Sequence, residues 1–89
     1  MNDKIFEFHA VIIKNPDMDA AYVEFPYDVE KAFGKKRVKV DAWFDGVSYS
    51  GILCRMGTEK HIIGIRKDIR QKIGKEAGDV VAVRIRERE

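Results

Sequence analysis

Phe-Pro-Tyr-Asp-Val-Glu-Lys-Ala-Phe-Gly-Lys at residues 25–35 returns as Ile-Arg-Lys-Asp-Ile-Arg-Gln-Lys-Ile-Gly-Lys at residues 65–75, an offset of 40. At that offset Asp28 matches Asp68, Val29 matches Ile69, Phe33 matches Ile73, Gly34 matches Gly74 and Lys35 matches Lys75. Each copy follows a short apolar run (Ala21 to Phe25; His61 to Ile65) and precedes another (Val38 to Phe44; Val80 to Ile85). A strand–short helix–strand unit cannot bury its own apolar face, so two copies predict two halves packed about a pseudo-two-fold axis.

Working outward, Ile5 to Lys14 reads as a strand with Phe6, Phe8, Ala10 and Ile12 on one face. Asn15-Pro16-Asp17-Met18-Asp19 is a turn-rich loop before the strand from Ala21 to Phe25. Pro26 suits a first helical position, and Gly34 the left-handed stop of a helix about two turns long. Val38, Val40, Ala42 and Phe44 form the inner face of the next strand, and Asp45-Gly46 signs a tight hairpin returning through Val47 to Arg55. After a Gly57-Thr58 loop, the second helix buries Ile69 and Ile73 and stops at Gly74. Gly78 suits a positive-φ turn position, Asp79 supports that turn through nearby backbone N–H groups, and Val81, Val83 and Ile85 face the core in the last strand. Six short strands and two small helices bury their apolar faces best by curling, which predicts one small, mostly β, barrel-like domain over residues 1–89.

Ile65 through Ile85, with its helix ending in Ile-Gly and its Ala-Gly-Asp-Val-Val-Ala-Val run, resembles AbrB-type swapped-hairpin domains, which are homodimers. Arg66 stands where that pattern has proline, whereas the first copy keeps Pro26. The span from Phe25 to Glu87 resembles the bacterial domain-of-unknown-function family numbered nineteen-oh-five. The matching stretches are Phe-Pro-Tyr-Asp-Val, Phe-Asp-Gly-Val-Ser-Tyr, Arg-Met-Gly and Gly-Asp-Val-Val-Ala-Val. The resemblance implies a double-split β-barrel with both halves in one chain and brings no assigned activity, and fold analogy does not license one.

Composition narrows the function classes. Apolar residues make up 45% and charged residues 36% of 89 residues, as in an ordered soluble domain. One cysteine excludes an intramolecular disulfide and a cysteine-built metal site. No leader or membrane-length apolar run is visible, so a cytoplasmic protein with no membrane partner is expected, as monomer or weak homodimer. No cofactor motif is present.

Candidate chemistry is sparse. Cys54 and His61 are a conceivable nucleophile and base, but no third residue orients His61, and Cys54 alternates with Ile52 as a small strand hydrophobe. His9 and His61 with scattered carboxylates lack zinc-site spacing. Asp41 and Asp45 flank Trp43 near Asp28 and Glu30, a conceivable acid and base, but nothing in their spacing makes them converge, and they read as solvated charges near a turn. The protein therefore reads as a non-enzymatic interaction or regulatory module.

Two places remain as binding candidates. The net charge of +2 divides unevenly: residues 1–54 hold 7 Lys/Arg against 9 Asp/Glu, and residues 55–89 hold 10 against 6. Arg84, Arg86 and Arg88 alternate along the last strand at about 6.6 Å intervals. Lys60, Arg66, Lys67, Arg70 and Lys75 extend that basic set into a polyanion or nucleic-acid surface. Glu87 and Glu89 interrupt the row, and Asp68 lies at i, i+4 to Lys72. The alternative is a small-molecule site at Trp43 and Tyr49, three residues either side of Gly46 and expected to approach each other across the hairpin.

Overall fold

A computed structural model describes residues 4–16, 20–55 and 59–88. The Asp17–Asp19 part of the first loop, the Gly57-Thr58 loop, most of the Arg-Met-Gly match and Glu89 lie outside the described residues.

The chain runs β1 (Ile5–Val11), β2 (Ile13–Lys14), β3 (Ala21–Glu24), α1 (Val29–Phe33), β4 (Val38–Phe44), β5 (Val47–Leu53), β6 (Ile62–Gly64), α2 (Lys67–Ile73) and β7 (Val80–Glu87). The expected first strand is present but bends at Ile12, which divides it into β1 and β2. Ile12 is buried at the bend, where its N–H donates to Asp79 O and its carbonyl accepts from Gly78 N–H.

Antiparallel pairing builds a four-stranded sheet in the order β1-β7-β4-β5 and a three-stranded sheet in the order β2-β3-β6. The expected single curled sheet is thus two sheets whose ladders do not close into a barrel. Among the described residues they share the chain at Ile12 on one side and touch through a Cys54–Ile62 bridge on the other. Beyond that bridge the Arg66 guanidinium lies over the Tyr49 ring, 6.0 Å from its centroid, and side chains take the place of a strand ladder.

The repeat is visible in the pairing itself. Val23 lies directly opposite Ile63, its equivalent at 23 + 40, in the antiparallel β3–β6 ladder. A local two-fold axis between the copies requires this arrangement. The buried residues of both halves meet around it, with Val23, Phe25, Val40, Phe44, Ile63, Ile65, Val81 and Ile85 all almost fully enclosed. An aromatic cluster of Phe6, Phe8, Phe25, Tyr27 and Phe33 fills one end, with ring centroids 5.3–6.2 Å apart.

Turn chemistry follows the sequence closely. Asp45 (φ 48) and Gly46 (φ 86) both take positive φ in the hairpin turn, and Gly34 and Gly74 close the helices at φ 72 and 70. Asp79 supports its turn by accepting from Glu76 N–H at 2.9 Å. The helix starts differ from expectation. Pro26 lies outside α1, because Asp28 is its N-cap and accepts from Lys31 N–H at 3.1 Å. In the second copy Arg66 is the cap residue, without a side-chain cap bond, so α2 begins two positions earlier in the repeat. Ile69 is buried as expected, whereas Ile73 is half-buried and Arg70 is the second enclosed residue of α2.

Candidate binding cleft on the open sheet face

The four-stranded sheet buries one face and leaves the other to solvent. Pairing fixes the open face as a grid: Glu7 beside Arg84 beside Trp43 beside Ser48, with Ile5, Arg86, Asp41 and Ser50 in the next row. On the other side of the first row His9 pairs with Ala82. Trp43, His9 and Arg84 are tall side chains standing around two small residues, Ala82 and Gly46. The result is a cleft of about 560 Å³ lined by Glu7, Phe8, His9, Trp43, Gly46, Ala82, Val83 and Arg84. That volume lies within the size range of small-molecule sites.

The charged groups around the cleft are already engaged with one another. Arg84 Nε and Nη2 both lie 3.0 Å from Glu7 Oε1. Arg86 Nη2 lies 3.3 Å from Asp41 Oδ2, and its guanidinium sits 5.5 Å from the centre of the Trp43 ring. At the turn beside the cleft, Asp45 Oδ1 accepts from Ala82 N–H at 2.9 Å and Oδ2 pairs with Lys75 Nζ at 2.6 Å. The hydrogen bond from Lys75 above all holds the Asp45 carboxyl below its usual value, aided by Ala82 N–H and by the charges of Lys75 and His9, with burial opposing.

Trp43 and Tyr49 do not meet. The hairpin pairs Trp43 with Ser48 and Ala42 with Tyr49, so the two aromatics lie on opposite faces. Trp43 stands on the open face as expected. Tyr49 turns inward, 6.2 Å from Phe44, and borders three further depressions of about 450, 410 and 310 Å³ beside α2 and β6.

The basic set does not form one surface. Arg70 is only 4% exposed, with Nη1 3.4 Å from Ile65 O and Nε 3.2 Å from Glu76 Oε1, the latter an ion pair without hydrogen-bond alignment. Its enclosure in the packing of α2 removes it from the surface expected of it. Arg66 pairs with Asp68 at 3.2 Å, the carboxylate assigned to Lys72 by helix spacing. Lys75 is drawn to Asp45 and Val80 O. Lys60 and Lys67 are exposed, and Arg88 is half-buried, its N–H donating to Lys39 O. The terminal row therefore reduces to Arg84 and Arg86 on the open face, each opposite an acid.

The Cys54–His61 pairing dissolves in a similar way. Cys54 lies opposite Ile62 and so shares a face with it and not with His61, whose Nε2 lies 2.7 Å from Lys36 O. Among the described residues no group of three or more His, Cys, Asp or Glu could hold a metal ion. Among the same residues no helix is long and apolar enough to cross a membrane.

The signal that was missed is His9 with Ala82. Neither carries a motif, and only the β1–β7 register makes them the wall and floor of the cleft. No curated protein matches the chain in comparison. Residues 8–85 match the family model described as Domain of unknown function (DUF1905), and the chain belongs to that family.

Proposed function

We propose that this protein is a binding module whose ligand is a small, planar, anionic molecule held in the Trp43 cleft, and that it is not an enzyme. The observation that carries this reading is the cleft itself: an indole wall, a low floor at Ala82 and Gly46, and Arg84 and His9 at its border. A planar ring stacks on the indole. The guanidinium, which spends only Nε and Nη2 on Glu7, keeps N–H groups for an anion. The competing polyanion reading is weakened because the basic set does not form one surface: Arg70 is enclosed, and Arg66, Lys75 and Arg86 are held in ion pairs at separate places. We also read the fold as a split barrel, a reading supported by the Cys54–Ile62 bridge at the seam between the two sheets.

Trp43 is the sole tryptophan, so its fluorescence reports on the cleft directly. A panel of aromatic carboxylates and nucleotides is expected to contain members that change this emission and raise Tm. At a concentration of 100 Kd the stabilisation is about 2.7 kcal/mol. Arg84→Met should weaken such binding about tenfold or more while leaving Tm of the free protein within a few degrees. A panel with no effect on emission or Tm overturns the proposal. Binding to mixed-sequence DNA or RNA that falls steeply between about 50 and 200 mM salt replaces it with the polyanion reading.

A further inference from the structure

We infer that β1 is a docking edge for a second copy of this chain, joining two four-stranded sheets into one eight-stranded sheet across a two-fold axis at Phe8. Among the described residues β1 is paired on one side only, at the end of the β1-β7-β4-β5 order. The backbone of Ile12 faces β7, since its N–H donates to Asp79 O and its carbonyl accepts from Gly78 N–H. By the alternation of an antiparallel ladder, Phe6, Phe8 and Ala10 also bond towards β7, and Ile5, Glu7, His9 and Val11 turn their N–H and C=O groups outward. The other long edge differs. Cys54, directly after β5, bridges to Ile62, and β5 residues 47–50 share a depression with the Arg66, Asp68, Ile69 and Lys72 side chains.

Burial marks the same edge as uncovered. The inward residues of β4 and β7 are enclosed, with Val40, Ala42, Phe44, Val81 and Ile85 at 0% exposure. The inward residues of β1, Phe6, Phe8 and Ala10, are only half-buried, and Tyr27 beside Phe6 is 48% exposed. Of the usual protections of an edge, proline and lysine are absent from its seven residues, and its one carboxylate, Glu7, is paired with Arg84 of its own chain.

The sequence of β1 matches itself in the reversed direction. With Phe8 on the axis, Ile5 lies opposite the partner's Val11, and Glu7 opposite the partner's His9. The apolar pair joins residues that are 48% and 50% exposed in the single chain. The second pair sets a carboxylate against an imidazole N–H donor. All four residues are the ones whose backbone groups point outward, so the register that matches side chains also makes hydrogen-bonded pairs. A slip by one residue would lose both matches. Glu7, Phe8 and His9 border the Trp43 cleft, so the partner's β1 becomes a neighbour of that cleft and the two clefts share one continuous face. The dimer does not depend on the cleft having a ligand.

Sedimentation velocity on the full chain without ligand, at concentrations up to about 1 mM, tests this directly. A reversible monomer–dimer equilibrium is expected. His9→Pro removes an outward-pointing N–H and leaves the β7 ladder intact, as proline does on sheet edges. Ile5→Lys with Val11→Lys places charge at both apolar pairs on solvent-facing positions, and serves if the proline variant does not fold. Every variant that keeps the monomer's circular dichroism and cooperative melting should raise the dimer dissociation constant about tenfold or more. A chain that stays monomeric throughout, or a dimer that any folded variant leaves unweakened, overturns the inference.

Discussion

At φ 48, Asp45 holds a backbone conformation that residues other than glycine seldom adopt, and its carboxylate bonds both Ala82 N–H and Lys75. One side chain thus ties the β4–β5 turn to β7 and to the loop after α2. Because its folded pKa is lowered, chiefly by Lys75, the folded state binds a proton less readily than the unfolded chain. Its contribution is therefore fully present above the unfolded value of about 3.9 and lost as pH falls through the lower folded value. Asp45→Asn keeps the tolerance for positive φ and removes the charge. We expect it to cost about 1 kcal/mol at pH 7, with the difference shrinking at about pH 3 and below. Urea unfolding at both pH values measures it, and an equal loss at both would show that the charge is not what matters.

The two helices show how one repeated motif can be read correctly as an element and still conceal its details. The buried Val29, Phe33 and Ile69 and the terminal glycines were legible in sequence, because i, i+4 spacing and a left-handed stop depend on local geometry alone, whereas the enclosure of Arg70 in place of Ile73 was not. The start was not. Asp28 intercepts Lys31 N–H and begins α1 at Val29, whereas Asp68 lies inside the first turn of α2 and pairs with exposed Arg66. Asp28→Ala should therefore cost about 1 kcal/mol, and the equivalent Asp68→Ala no more than about 0.5. Thermal melts of the two variants decide it; equal losses would mean that the copies are capped alike. The hairpin gives a similar lesson. A count centred on Gly46 made Trp43 and Tyr49 neighbours, but the centre of a two-residue turn lies between Asp45 and Gly46, and that half-step puts them on opposite faces.

Across the whole molecule, what the sequence hid was long-range. Glu7 and Arg84 are 77 positions apart and Asp41 and Arg86 are 45 apart, so a basic row by composition becomes a neutralised one only when β1, β4 and β7 align. Closure of the sheet is likewise a property of the whole. Two sheets joined, among the described residues, by a bend at Ile12 and the Cys54–Ile62 bridge have unequal cohesion around their circumference. β4 and β7 are flanked by strands on both sides, while the β5–β6 seam rests on Cys54 N–H to Ile62 O at 3.1 Å and Ile62 N–H to Cys54 O at 2.8 Å. Native-state hydrogen exchange should therefore separate the two regions. The amides of Ala42 and Val83 are expected to exchange only through global unfolding, and those of Cys54 and Ile62 at least about tenfold faster through local opening of the seam. Seam amides that exchanged as slowly as the central ones would mean that the two sheets open together as one cooperative barrel, with the side chains of Tyr49 and Arg66 binding the seam as firmly as a ladder would.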